Sequence, residues 1–222
     1  MKFEPLALLL QTVSMATAAH YQDWQPGSCD LSGAESYLEH FGIGPGLPKL
    51  DVRYGHFTTK EYVVHGSDTT FAKGKDELYE PPKVTWKQTG KYTESKYVIL
   101  MVDADSNLEN GSSAWKPHIH WLKVNAQKTS TTGHDIFPYR PPVPKSGKHR
   151  YIVVLFEQLK PGVLSPYMKG REQWDLKGFS ESNKEAMRPV SYNFFTVDAD
   201  LRAEDEILAL GFGDDEDDFP TQ

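Results

Sequence analysis

The sequence predicts a mainly β domain built on antiparallel strands, and three observations predict it. Two runs, Tyr97–Val102 and Tyr151–Phe156, are apolar almost throughout, as strands buried on both faces at the centre of a sheet are. Shorter runs, Leu50–Tyr54 and Lys83–Trp86, alternate apolar and polar residues at period two, the pattern of half-buried strands. Helical signatures are confined to three short stretches, residues 32–42, 179–187 and 203–210.

In chain order, residues 1–19 read as a secretion signal. Lys2 supplies the positive start, Pro5–Val13 the apolar stretch, and Ala16-Thr17-Ala18 an A-x-A cleavage site. The apolar stretch is too short to span a bilayer, and no later run is long enough either, so the chain is expected to be secreted with no transmembrane segment. Residues 20–48 form an N-terminal helical and linker segment. Ser32 stands as a helix cap with Glu35 at capping-box spacing, and Gly42, Gly44-Pro45-Gly46 and Pro48 break the chain. Residues 49–210 hold the β domain, and 211–222 an acidic disordered tail.

Within the domain, Leu50–Tyr54 and Lys83–Trp86 come first, followed by Tyr97–Val102. His118–Val124 and Tyr151–Phe156 are rich in β-branched and aromatic residues. Between them Pro138–Pro144 holds four prolines in seven residues, so it lacks the donors for a ladder and is expected to be a stiff surface loop. Ser191–Val197 is expected to be the last strand.

The net charge is −7, and Asp214–Asp218 alone supplies −5 of it. The body is therefore close to neutral, which excludes nucleic acid as a partner because phosphate binding needs a basic face. Cys29 is the only cysteine, so no intramolecular disulfide forms and stability rests on packing. No Gly-x-Ser-x-Gly motif and no Cys/His pair marks a nucleophile, which favours a non-catalytic binding or accessory protein over an enzyme.

Chemistry gathers at strand ends. Asp103-Ala104-Asp105 follows one apolar run, His118-Ile119-His120 opens the next, and Gly147-Lys148-His149-Arg150-Tyr151 opens the third. An imidazole beside Asp103 would have its charged form favoured. His120 and His149 are thus expected to be cationic donors that hold an anionic group together with the Tyr151 hydroxyl. Arg150 should point to the other side of its strand and pair with Glu157 or Asp105. His118-x-His120 with His149 also offers three imidazoles, but Lys116 and Pro117 crowd the motif and no carboxylate stands at ligand spacing, so no metal and no cofactor is assigned. Asn110-Gly111-Ser112 is a glycosylation sequon.

These blocks resemble the phosphatidylethanolamine-binding protein family. Its members carry an Asp-Pro-Asp motif after an apolar strand, a His-containing strand closing in Val-x-Asn, a Pro-rich loop into Gly-x-His-Arg-Tyr, and an apolar strand closing in Glu-Gln. Here these are Asp103–Asp105, His120–Asn125, Pro144–Tyr151 and Phe156-Glu157-Gln158, in the same order across roughly residues 50–200. Pro189–Val197 and the secretion signal look most like extracellular fungal members. The resemblance implies a large central antiparallel sheet packed on a smaller sheet with a few peripheral helices. It also implies a pocket for phosphate or carboxylate groups, including phospholipid headgroups, formed by Asp103, His120, His149 and Tyr151 with the Pro144 loop as one wall. Ala104 stands where the family has proline and Ser106-Asn107 where it has Ala-Pro, so a less constrained loop after Asp103 is expected. Two further roles follow from relatives. One is assistance to a separate cyclase in fungal anhydride (maleidride or nonadride) dimerisation, and the other is inhibition of a secreted peptidase.

Overall fold

A computed structural model describes residues 37–39, 43–44, 46–55, 62–66, 69–88, 95–106, 117–160, 170–172 and 174–201. The secretion signal, Cys29, the Asn110 sequon, the helix candidate at 203–210 and the acidic tail lie outside the described residues. Of the first helix candidate, residues 37–39 are described and helical.

Among the described residues, nine strands form two sheets. The small sheet holds β1 (Asp51–Tyr54), β2 (Tyr62–Val63) and β4 (Lys83–Thr85), in the order β2-β1-β4. The large sheet runs β3 (Thr70–Ala72), β9 (Met187–Asp198), β8 (Lys148–Gln158), β5 (Tyr97–Asp103), β6 (His118–Ala126) and β7 (His134–Phe137). Every pairing in it is antiparallel except that of the edge strand β3, which runs parallel to β9.

All seven residues of β5 are buried, and their alternation explains the uninterrupted apolar run. Val98, Leu100 and Val102 enter one core with Ile152, Val154 and Phe156, covered by Trp174, Leu176 and Phe179. Tyr97, Ile99 and Met101 enter the other with Val153, Leu155, Val52, Tyr54 and Val84, between the two sheets. Period-two alternation sends neighbouring side chains to opposite faces, so a strand covered on both sides has no position left for polar residues.

The helix α1 spans Leu176–Asn183, starting three residues before the predicted 179–187. The Asp175 carboxylate accepts from the Gly178 backbone N–H at 2.8 Å and caps it. The last strand starts at Met187, before the predicted Ser191, and takes in Pro189. The proline is tolerated because the register shifts there, with Leu155 opposite Ser191 and Phe156 opposite Pro189, so Val190 bulges out of the ladder. The Pro-rich segment is irregular as expected, but Pro142 and Pro144 are buried rather than on the surface.

The β6–β7 turn depends on one glycine. Gly133 has φ +84°, and a Cβ there would collide with the Val124 carbonyl oxygen and lie 2.8 Å from the Ala126 nitrogen. Gly133→Ala combines a left-handed backbone with backbone overlap, so it is expected to cost about 2 kcal/mol or more. Urea unfolding compared with Gly74→Ala, where φ is +85° but the space is open, checks this. Equal losses would refute the overlap argument.

Candidate functional site

The ends of β5, β6 and β8 meet at one end of the large sheet. Asp103 is paired with His118 on one side and with Tyr151 on the other. Paired residues share a face, and these follow the alternation of Met101 and Val153, so they point between the sheets. His149, two residues before Tyr151, points the same way. His120 reaches this side by a bulge. Met101 is opposite Trp121 and Val102 opposite Ile119, which leaves His120 as the extra residue.

The structure thus brings Asp103, His120, His149 and Tyr151 together. His149 Nδ1 and Asp103 Oδ2 are 2.9 Å apart, with both side chains buried. The other carboxylate oxygen, Oδ1, accepts from the Asp105 backbone N–H at 2.9 Å, so Asp103 is fixed at both ends. The His120 and Tyr151 rings meet edge to face at 5.0 Å, and Tyr151 stacks on Phe195 at 5.5 Å. Tyr151 is fully buried.

His120 differs from the expectation of a second cation. It is 8% exposed, and burial pushes its pKa down from 6.5 to about 4, outweighing the opposing pull of Asp103 and of the Arg140 carbonyl. The ring is neutral near pH 7. Its Nδ1 lies 3.0 Å from the Arg140 carbonyl oxygen, and a carbonyl only accepts, so Nδ1 carries the proton and Nε2 is an acceptor. The Arg140 N–H donates back to the His120 carbonyl at 2.8 Å. This reciprocal pair stitches the start of the Pro-rich loop to β6, and the loop then runs past the buried Pro144 to His149.

Arg150 takes the face opposite His149, and its partner is Asp105. Asp105 Oδ2 accepts from the Arg150 backbone N–H at 2.7 Å and from Nε at 2.9 Å, while Oδ1 accepts from Nη2 at 2.7 Å. Glu157 is instead bound by Arg188 at 2.7 Å. The Ala104 N–H donates to the Arg150 carbonyl at 2.9 Å, a bond that proline at this position could not make. Through Ser106, the loop after Asp103 is held by hydrogen bonds; Asn107 lies outside the described residues.

Arg171 is the residue that sequence reasoning missed. Its guanidinium donates to the carbonyls of Ile119 and His120 at 3.2 Å each and of Pro138 at 2.6 Å, and it lies over the Phe137 ring at 5.1 Å. It ties a distant segment to the strand that carries His120. Among the described residues no group of three or more His, Cys, Asp or Glu could hold a metal ion, and no helix is long and apolar enough to cross a membrane. A cleft of about 960 Å³ lies elsewhere, with Arg53, Lys83, Trp121, Lys123, Asp135 and Tyr139 in its lining. Asp135 there binds Trp121 Nε1 at 2.7 Å and Lys123 Nζ at 3.2 Å.

Comparison with known proteins agrees with this architecture. The family model described as phosphatidylethanolamine-binding protein matches residues 56–195. Protein SELF-PRUNING of Solanum lycopersicum is 28% identical over 66% of this chain and 85% of its own length. Protein TWIN SISTER of FT of Arabidopsis thaliana is 31% identical over 67% of this chain and 79% of its own. Among solved structures, a carboxypeptidase Y inhibitor in complex with its cognate proteinase aligns with a TM-score of 0.56 at 16% identity, covering 76% of this chain and 96% of that one. A phosphatidylethanolamine-binding protein from Plasmodium falciparum aligns at 0.50 and 18%, covering 73% and 96%. With the matched span exceeding half of the sequence and the two-sheet fold in common, this chain belongs to the phosphatidylethanolamine-binding protein family.

Proposed function

We propose that this protein is a non-catalytic binder of a small anionic group, phosphate or carboxylate, taken between His149 and His120. The observation that carries the reading is the buried Asp103–His149 pair at 2.9 Å, set at the sheet end beside a second imidazole of fixed tautomer. With Nδ1 held by Asp103, His149 meets the ligand through Nε2, an N–H donor when the ring is protonated. His120 Nε2 accepts. A group with both an anionic oxygen and an O–H matches this donor and acceptor arrangement, as monoprotonated phosphate does. Asp103 orients His149 and offsets its charge. The N-terminal pattern around Lys2, Pro5–Val13 and Ala16-Thr17-Ala18 supports a secreted location.

Inorganic phosphate at concentrations on the order of 10 mM is expected to raise the unfolding temperature of the full chain, since any ligand of the native state alone stabilises it. Sulfate and phosphate also stabilise proteins non-specifically, so His149→Gln serves as the reference. The variant should fold and lose the specific part of the shift. A shift of equal size in both proteins, or none in the wild type, would sink the proposal.

A further inference from the structure

His118 is paired with Asp103 on the neighbouring strand, and its ring lies 5.1 Å from that of His120. It is half-buried and also lines a cavity of about 510 Å³ with Phe137, Arg140, Gly170, Arg171 and Glu172. His118 therefore stands beside Asp103 and His120 while also lining a second space together with two arginines and one glutamate.

The two arginines are placed differently. Arg171 is locked by three backbone carbonyls and by the Phe137 ring, all neutral partners that orient the cation without cancelling it. Arg140 is exposed, its guanidinium has no carboxylate partner among the described residues, and its backbone is anchored to His120 in both directions. The anchor fixes where the Arg140 side chain starts while leaving its head able to reach a ligand. Both charges are felt at the bridge, since Arg140 and Arg171 add to the burial that lowers the His118 pKa, against Asp103 and Glu172. Like-charged guanidinium groups facing one cavity invite a carboxylate or phosphate, which arginine can bind through two parallel N–H bonds.

We propose that the His118, Arg140 and Arg171 cavity is a second anionic subsite, so that the preferred ligand carries two anionic groups on a short spacer. One group enters between His149 and His120, and the other extends past His118 to Arg140. The subsite rests on the anion-binding reading of the pocket beside it. It goes further by naming the ligand class, small molecules with two separate anionic groups such as dicarboxylates or phosphorylated carboxylic acids, over ligands with only one.

Calorimetric titration of the full chain with 2-phosphoglycolate and with glycerol 3-phosphate tests this, because the two share a phosphate and differ in the distal carboxylate. The wild type is expected to prefer 2-phosphoglycolate by about tenfold, the worth of one charge-assisted contact. In Arg140→Gln the preference should fall to near one. Glu172→Gln removes the opposing carboxylate and should raise it about two- to threefold. The ratio taken within one protein cancels effects on the phosphate pocket common to both probes. Equal affinity for both probes in the wild type, or a preference that survives Arg140→Gln, overturns the subsite while the anion pocket stands. If neither probe binds the wild type, the anion-binding reading fails and the subsite falls with it.

Discussion

Asp105→Ala is expected to lower the unfolding temperature by on the order of 10 °C, from a loss of roughly 3–5 kcal/mol. The carboxylate has three bonds to Arg150, one of them to the backbone N–H, and the two side chains are only 3% and 6% exposed. Truncation takes the carboxylate away from a buried guanidinium and a backbone donor. The native pair need not be strongly stabilising for this to hold, because removing one partner of a buried ion pair costs more than the intact pair contributes. The comparison is Asp51→Ala, which breaks the Arg53 pair at 3.0 Å where both side chains are well exposed, and should cost about 1 kcal/mol or less from that pair. Differential scanning calorimetry of both variants decides it. Equal losses would mean that Asp105 is not held as described.

Acid is expected to unfold the protein partly through His120. The folded pKa is about 4 and the ordinary value is 6.5, so between these limits the unfolded chain binds more protons. Stability therefore falls as pH drops from about 6.5 to about 4, by up to roughly 3 kcal/mol in all, and is unaffected by this group above that window. The check is the difference in urea-unfolding free energy between wild type and His120→Gln from pH 4 to 7. The variant should show the shallower slope, and parallel curves would refute a neutral buried His120. The same titration bears on the pocket. A protonated His120 would repel His149 when that ring is charged, yet it would add a donor for an anion.

What was legible in the sequence depended on whether local pattern or distant packing made the structure. β5 and β8 stood out because burial on both faces forces an unbroken apolar run. β7 did not, since His134, Asp135 and Ile136 are exposed and its position follows from Gly133 in the turn before it. β3 has three residues, too few for a period to register, and its parallel partner lies over a hundred residues away. In the site, Asp103 and His149 were legible because each closes or opens a strand within a recognisable block. The neutrality of His120 was not, because it results from burial at the bulge against the Tyr151 ring, which outweighs Asp103 and the Arg140 carbonyl, rather than from its neighbours in sequence. Arg171 carries no motif, and its role comes entirely from which carbonyls the fold brings near it.

The position of β9 has a consequence for how the chain folds. It pairs along its length with β8, holds β3 in parallel through Thr70 and Thr196, whose hydroxyls lie 2.6 Å apart, and draws in the start of the domain. The Leu50 N–H donates to the Tyr192 carbonyl at 2.8 Å, and Asn193 Nδ2 donates to the carbonyls of Leu50 and Val64 at 2.8 and 2.7 Å. These contacts close loops of well over a hundred residues, and loop closure of that kind slows folding toward the millisecond-to-second range. During synthesis, β3 must therefore wait for its strand partner until residues near 198 have left the ribosome. Until then β8 is left as an open sheet edge, which makes the late arrival of a single strand the step at which this protein is most exposed to aggregation.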